Sequence, residues 1–373
     1  MTQLDRFGGY KPVRSKATGF FRVEKIGGRW WFITPEGHAF ISMGVNHMTS
    51  TALKYPDNVH IWKERHGGSQ EKWIRDGVVK DLRSWGFNTI GWTQEIAAKT
   101  MAHTPSWSPQ EYKWAEMPYC HLLPFADIAM YDRNPAFPDV FGSYFEEYCD
   151  YLAREYCVDM ADDPYLIGYF YSDMPAWIDG RHGKYWAQGL DLETPDGEAA
   201  LGEIAERYYK VIHDAVRRYD PNHLLMGDRY DGDGGVADIV LKKAAPTIDV
   251  LSVQYYTRFE LMEADLDRWY DMLGKPIFLA DSAFHAPTEL LKVGPGSKVY
   301  VPNQAERGKA YQDFATRAYS KPQIVGWHWC AYIENRTRKS GLKNYRDEPY
   351  TECVSRMKEF NERVYEVAAA ASS

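Results

Sequence analysis

Two aspartates, Asp173 and Asp281, occupy positions where a pair of carboxylates could carry out acid–base or nucleophilic chemistry. Asp173 follows the apolar run YLIGYFYS, and Asp281 follows PIFLA, so each ends a short strand-like segment. Glycoside hydrolysis uses two carboxyl groups across the scissile bond, one to protonate the leaving oxygen and one to act as nucleophile or to activate water. An aspartate after a strand is also a common helix N-cap or turn former, and the Met174-Pro175 that follows Asp173 suits a cap.

Eight short apolar runs recur along the chain, and segments with helical periodicity separate them. Strands that alternate with helices indicate parallel β-α-β units, and eight such units predict an α/β fold, the (β/α)8 TIM barrel. We expect a single catalytic domain over residues 1–373, with the barrel over 40–360. The predicted barrel strands are FISMGVN, NTIGW, CHLLPF, LIGYFYS, LLMGDRY, VLSVQYY, PIFLADS and IVGWHW.

An N-terminal β-hairpin is predicted over residues 19–41. Two strand-like runs flank Gly27-Gly28, which is a typical two-residue hairpin connection. A second turn at Pro35-Glu36-Gly37 leads into the first barrel strand. We expect the hairpin to cover one end of the barrel.

The barrel fold predicts where a functional site lies, because function in these folds sits at the carboxyl ends of the strands. Asp173 ends the fourth predicted strand and Asp281 the seventh, on roughly opposite sides of the ring. Their side chains are therefore expected to point across the mouth, with room for a sugar between them. Other polar and aromatic residues follow the remaining strands and are candidates for substrate binding: Asn46, Trp92, Glu95, Arg229, Gln254, Tyr256 and Trp329.

Two of these candidates have alternative interpretations. Glu95 is a reserve carboxylate for catalysis, or a charge in the first turn of a helix, where the helix dipole favours it. Arg229 is suited to orient a catalytic carboxylate or to grip an acidic sugar substituent, and equally to form an internal ion pair with Asp228.

Several motifs, in this order and spacing, resemble glycoside hydrolase clan A, in particular the family 50 β-agarases and related β-galactoside-cleaving enzymes. The resemblance covers the barrel nearly end to end. It implies a hydrolase that cleaves a β-linked, galactose-type oligosaccharide of the agar, carrageenan or galactan kind. The motifs are GRWWFITPEGHAFISMGVN at 28–46, GFNTIGW at 86–92, GYFYSDMPAW at 168–177, KPIFLADSAFH at 275–285, QAERGKAY at 304–311, VGWHWCAYIEN at 325–335 and GLKNYRDEPY at 341–350.

The resemblance also implies roles for single residues. It makes Asp173 and Asp281 the catalytic pair and puts a tyrosine, Tyr256 or Tyr255, against the nucleophile. Period-two alternation places Trp327 and Trp329 on one side of the eighth strand and His328 on the other. Further side chains implied to contact the sugar, by hydrogen bonding or stacking, are Asn46, Trp177, His285, Trp327, Trp329 and Glu334.

The chain departs from the clan pattern at both carboxylates. The fourth strand of clan members typically ends in Asn-Glu and the seventh in Glu, whereas this chain has Ser172-Asp173 and Asp281. Asp173 could still be the acid and Asp281 the nucleophile, with a shifted backbone. Alternatively, two shorter side chains widen the gap from the retaining range of about 5–5.5 Å into the inverting range of about 6.5–9.5 Å. A third interpretation is a non-catalytic barrel that binds sugar without turnover.

The overall composition limits the classes of binding partner that we expect. A net charge of −8 argues against nucleic acid, and no apolar run approaches a membrane span. The 15% aromatic content is compatible with a sugar cleft as well as with a large core. The five cysteines form no CxxC pair, and the N-terminus has no signal-peptide pattern, so we expect a reducing, cytoplasmic location.

No cofactor is expected. A metal-dependent barrel hydrolase that uses Asp228, Asp281 and a histidine is the last-ranked alternative, because the chain has no His-x-His or HExxH cluster. Nothing in the sequence predicts the oligomeric state.

Overall fold

The computed structural model describes residues 3–98, 102–126, 138–178, 185–336, 338 and 340–371, apart from the side chains of 96–98 and 102. The chain begins with a four-stranded antiparallel sheet. Its strands are β1 (Tyr10–Arg14), β2 (Arg22–Ile26), β3 (Arg29–Ile33) and β4 (His38–Phe40), in the spatial order β1-β4-β3-β2.

The predicted hairpin forms the β2–β3 half of this sheet. Ile26 pairs with Arg29, which leaves a two-residue connection. Gly27 and Gly28 both have positive φ, 60° and 80°. Such a turn suits glycine because L side chains rarely adopt this backbone conformation. The prediction lacked β1, which adds an outer strand beside β4.

Eight parallel strands close into a barrel, which confirms the predicted (β/α)8 fold. Each predicted run overlaps one of them. The barrel strands, in ring order, are β5 (Ser42–Val45), β6 (Thr89–Ile90), β9 (Tyr119–Leu122), β10 (Leu166–Asp173), β11 (Leu224–Asp231), β12 (Leu251–Gln254), β13 (Ile277–Ser282) and β14 (Ile324–Trp329). A two-stranded antiparallel ribbon, β7 (Ile96–Ala98) with β8 (Ala102–His103), follows β6.

Helices occupy the connections between the barrel strands. Some of them begin with a side-chain cap: before the helix that starts at Pro195, Thr194 Oγ1 accepts a hydrogen bond from Gly197 N at 3.1 Å. The α-helices are α1 (Val59–His66), α2 (Gln70–Lys72), α3 (Lys80–Ser84), α4 (Pro109–Ala115), α5 (Ser143–Cys157), α6 (Pro195–Tyr219), α7 (Asp238–Ala244), α8 (Phe259–Leu273), α9 (Gln304–Tyr319), α10 (Thr351–Asn361) and α11 (Val364–Ala370). A 3₁₀ turn at Ser50–Leu53 and a π-helical stretch at Trp73–Val79 complete the set.

The N-terminal sheet covers the amino end of the barrel strands, as the predicted hairpin should. The buried Arg29 donates hydrogen bonds to the carbonyls of Tyr319, Lys321 and Ile324, where β14 begins. Apolar side chains from the sheet and the lumen merge into one cluster, which includes Phe7, Phe21, Phe32, Phe40 and Phe278. The sheet therefore leaves the opposite, carboxyl end as the mouth of the barrel. Among the described helices, none has the length and apolar character to cross a membrane.

Candidate active site

Asp281 lies at the centre of a buried polar cluster at the carboxyl ends of the barrel strands. Asn46 Nδ2 donates a hydrogen bond to its Oδ1 at 2.8 Å, and Tyr256 Oη donates to its Oδ2 at 2.9 Å. An Arg229 guanidinium nitrogen lies 3.3 Å from Oδ2. Three different strand ends thus hold one carboxylate, of which 4% is exposed.

The position of Asn46 depends on the sequence of the neighbouring strand. Asn46 follows β5 directly, and its Oδ1 accepts a hydrogen bond from the backbone N–H of Trp92 at 2.9 Å. Gly91 makes room for this contact, because a Cβ there would lie 2.1 Å from the same oxygen. The Gly-Trp pair of the NTIGW run therefore fixes the asparagine that orients Asp281.

Arg229 joins the two predicted catalytic residues. One guanidinium nitrogen lies 3.3 Å from Asp173 Oδ1 and the other lies 3.3 Å from Asp281 Oδ2. The guanidinium also lies over the Trp92 ring, 4.7 Å from its centroid, and it is fully buried. The two carboxylates thus contact the same guanidinium across the mouth. This arrangement corresponds to the carboxylate-orienting role considered for Arg229.

Asp228 points to the other side of β11, so the alternative ion pair with Arg229 does not form. It accepts hydrogen bonds from Tyr208 Oη at 3.1 Å and Tyr209 Oη at 2.5 Å, both on α6. Burial raises the pKa of Asp228 to about 7, although the two tyrosine hydrogen bonds oppose the shift. Strand alternation puts the arginine in the lumen and this aspartate in the layer between barrel and helices.

Asp173 is held through one oxygen. Its Oδ1 accepts a hydrogen bond from Gln254 Nε2 at 2.8 Å and also lies beside Arg229. Gln254 donates to the carbonyl of Arg229 as well, at 3.1 Å, which fixes the amide. Within the described residues Oδ2 makes no hydrogen bond.

His47 adds a cation beside Asp281. It has a positive φ of 58°, its Nδ1 lies 2.7 Å from the carbonyl of Gln94, and its Nε2 lies 3.6 Å from Asp281 Oδ2. Burial and the nearby Arg338 lower the pKa of His47, but Cys330, Glu95 and Asp281 outweigh them and raise it to about 10. His47 is therefore an imidazolium at neutral pH.

The cations around Asp281 keep it ionised. Burial alone raises the pKa of Asp281, but the nearby imidazole of His47 and the charges of Arg229 and Arg338 hold it below the usual range. Arg338 is in turn paired with Glu95, with Nε 3.3 Å from Oε2. Glu95 is thus at the site, as an ion-pair partner of this arginine.

The tyrosine that contacts Asp281 is Tyr256. The neighbouring Tyr255 points outward and donates a hydrogen bond to Asp265 on α8, at 3.1 Å. Because successive side chains point to opposite sides, only one of the two tyrosines faces Asp281, and this resolves the alternative of Tyr256 or Tyr255 that the sequence left open.

Three predicted stacking residues are packed against other side chains of the protein. Trp327 and Trp329 face α9, where Trp327 stacks on Tyr311 at 4.8 Å and Trp329 is fully buried. His328 takes the lumen side of β14 instead, with Nε2 2.9 Å from Ser42 Oγ. Trp177 is fully buried against Trp186, with ring centroids 4.5 Å apart. All three tryptophans are buried in the protein.

His285 and Glu334 lie on the loops around the mouth. His285 makes a bridge with Tyr300, which ties down the long loop after β13. Burial and the nearby Arg307 and Arg338 lower the pKa of His285 to about 4. Glu334 accepts hydrogen bonds from Thr288 at 2.6 Å and Tyr350 at 2.5 Å, so both of its oxygens are already engaged.

Two residues of the cluster were absent from the prediction, Cys330 and Arg338. Both follow β14, on a segment that returns over the mouth. Neither belongs to a strand register, so periodicity gave no signal for them. No sequence signal indicated the charge of His47 either, because that charge depends on neighbours that are distant in sequence.

Comparisons with known proteins show the fold. No family model matches the chain. Two curated proteins from Vibrio sp. (strain JT0107) are similar to it: beta-agarase B, 20% identical with 96% of this chain covered, and beta-agarase A, 23% identical with 98% covered. The chain spans about half the length of each, 50% and 48%. A crystal structure of an agarase superposes with a TM-score of 0.80 at 21% identity, covering 99% of this chain and 67% of the other.

Proposed function

We propose that this chain is a glycoside hydrolase that acts on β-linked, agar-type galactan oligosaccharides. The observation that carries the proposal is the pair of buried carboxylates on one guanidinium, Asp173 and Asp281 on Arg229, at the mouth of the barrel. The similarity to curated beta-agarases supports the substrate class. The negative net charge of the chain fits a neutral sugar better than a polyanion.

Asp281 is the carboxylate that faces the anomeric carbon. An ionised oxygen there stabilises the oxocarbenium-like transition state or attacks it. Asn46, Tyr256 and Arg229 fix its position before substrate arrives, so little reorganisation is needed during the reaction.

Asp173 is the proton donor to the leaving oxygen. Its Oδ1 is taken by Gln254 and Arg229, and Oδ2 is the oxygen that can hold the proton. A bound sugar would displace water from the mouth and disfavour two adjacent negative charges, which favours protonation of one carboxyl group.

The test is a time course of anomeric NMR signals with a panel of agar-derived oligosaccharides, for wild type, Asp173→Asn and Asp281→Asn. We expect turnover by wild type and a loss of about 10⁴-fold or more in the Asp281 variant. A β anomer formed first means that Asp281 attacks the sugar, and an α anomer means that water does. If no oligosaccharide turns over while the chain binds one tightly, the sugar-binding alternative replaces this proposal.

Aryl glycosides separate the two roles. A phenolate leaving group that departs without protonation should restore most of the rate lost in Asp173→Asn but not in Asp281→Asn. Equal losses on both substrates would contradict the assignment of Asp173 as the acid.

A further inference from the structure

The polar cluster also contains three side chains of metal-binding types. His47 Nδ1 or Nε2, Cys330 Sγ and an Asp281 oxygen lie within 4.8 Å of one another, and all three residues are buried. Imidazole, thiolate and carboxylate are the donor types that bind zinc in proteins. Zinc–ligand bonds of about 2.0–2.3 Å mean that a central ion needs only small side-chain movements to reach all three atoms.

The histidine is already oriented for a metal ion. His47 Nδ1 lies 2.7 Å from the carbonyl of Gln94, so this nitrogen carries a proton and donates it there. The other nitrogen, Nε2, is buried and makes no hydrogen bond within 3.5 Å among the described residues. Metal-binding histidines commonly use one ring nitrogen as ligand while the other donates to a backbone carbonyl.

The carboxylate is oriented in the same way. Asn46 and Tyr256 each hold one oxygen of Asp281. Hydrogen bonds of this kind to a ligating group position it for the ion. The cluster thus has ligands and outer partners in place.

The charges around the cluster allow a divalent ion. Two guanidinium groups lie nearby: Arg229 is paired with both Asp173 and Asp281, and Arg338 is paired with Glu95. Binding uses the deprotonated forms of Cys330 and His47.

We propose that His47 Nε2, Cys330 Sγ and Asp281 form a site for one soft divalent cation such as Zn²⁺, and that the bound ion blocks turnover by occupying the Asp281 carboxylate. The ion enters through the mouth and competes with the sugar. The inhibition rests on the proposed function, whereas the binding does not.

Cadmium reports the site directly, because a cadmium–thiolate bond has a charge-transfer absorption in the ultraviolet. The full chain, stripped with chelator, is titrated with Cd²⁺ and, by calorimetry, with Zn²⁺. Cys330→Ser removes the thiolate, and Cys353→Ser is the matched control because Cys353 is a buried free cysteine on α10. His47→Gln removes a second ligand and serves if the Cys330 variant fails to fold.

We expect a one-to-one complex in wild type and in Cys353→Ser, no thiolate band in Cys330→Ser, and affinity about 100-fold weaker or worse in His47→Gln. Zn²⁺ should stop oligosaccharide turnover, and chelator should restore it. A band that persists in Cys330→Ser, or activity that chelator abolishes, overturns the proposal. If the band appears while no oligosaccharide is cleaved, the metal site stands and the proposed function fails.

Discussion

The two ends of the barrel each bury an arginine, but in opposite surroundings. At the amino end, Arg29 donates to three backbone carbonyls beneath a cluster of phenylalanines. At the mouth, Arg229 lies between two carboxylates in a cluster that also contains His47 and Arg338. The first arginine completes the hydrogen bonding of the backbone, whereas the second positions charged side chains that contact one another.

This difference indicates the role of each end of the barrel. Buried ion pairs stabilise a fold poorly, because the cost of removing charges from water is as large as the attraction between them. A barrel selected for stability alone would fill its mouth as it fills its base, with apolar rings. The charge cluster is therefore best understood as a prepared electrostatic environment for a reaction, maintained by the rigid base below it.

The largest expected effect is a difference in activity between variants of the two arginines, Arg229 and Arg29. Arg229→Met should lower activity by about 10²–10³-fold or more, because Asp173 and Asp281 lose the cation they share. Arg29→Met should leave kcat/KM within about threefold and lower the free energy of unfolding by roughly 1–3 kcal/mol for each carbonyl left without a donor. Denaturant unfolding and initial rates at equal folded concentration check both. Loss of activity in Arg29→Met at full folding would break the comparison.

A smaller difference in activity is expected between variants of the neighbouring tyrosines Tyr256 and Tyr255. Tyr256→Phe removes a hydrogen bond to ionised Asp281, worth about 1.5–3 kcal/mol, and should lower kcat/KM by about 10- to 100-fold. Tyr255→Phe, whose hydroxyl faces Asp265, should keep the wild-type rate and cost about 1 kcal/mol of stability. Steady-state kinetics of the pair is the measurement, and equal rates in the two variants would remove Tyr256 from the site.

A further effect, on stability, concerns the buried Asp228. The folded-state pKa of Asp228 is raised to about 7, so the folded chain binds a proton that the unfolded chain has lost. Stability should therefore fall as pH rises from about 4 to about 7, by up to roughly 1.4 kcal/mol per pH unit from this group. Asp228→Asn should flatten that slope in thermal or denaturant unfolding. A slope unchanged by the substitution would mean that Asp228 titrates normally.

Much of this fold could be predicted from the sequence, because local hydrophobic patterns mark the strands and helices of the barrel. Eight apolar runs marked the eight strands, and the residues after them brought Asn46, Arg229 and Gln254 to one rim. Which side of a strand faces the lumen depends on packing against the helices. That is why Trp329 was assigned to the mouth and lies instead against α9.

The remaining part of the site arises from contacts between distant segments. Arg338 and Cys330 reach Asp281 on a loop without regular structure, which has no periodicity to predict. The charge of His47 depends on the sum of several neighbours, which no pattern along the chain contains. A single sequence therefore predicts the strand ends well and the loops above them poorly.

Chemical rescue of Asp281→Ala tests the central claim most directly, with Asp228→Ala as the matched control. Formate or azide can occupy the space left by the carboxylate and replace it as anion or nucleophile. We expect Asp281→Ala to be inactive on an agar-derived oligosaccharide or aryl galactoside and to regain turnover with either anion, whereas the anions leave the rate of Asp228→Ala unchanged. Wild-type turnover by Asp281→Ala without any added anion would contradict the assignment of Asp281 as the reacting carboxylate.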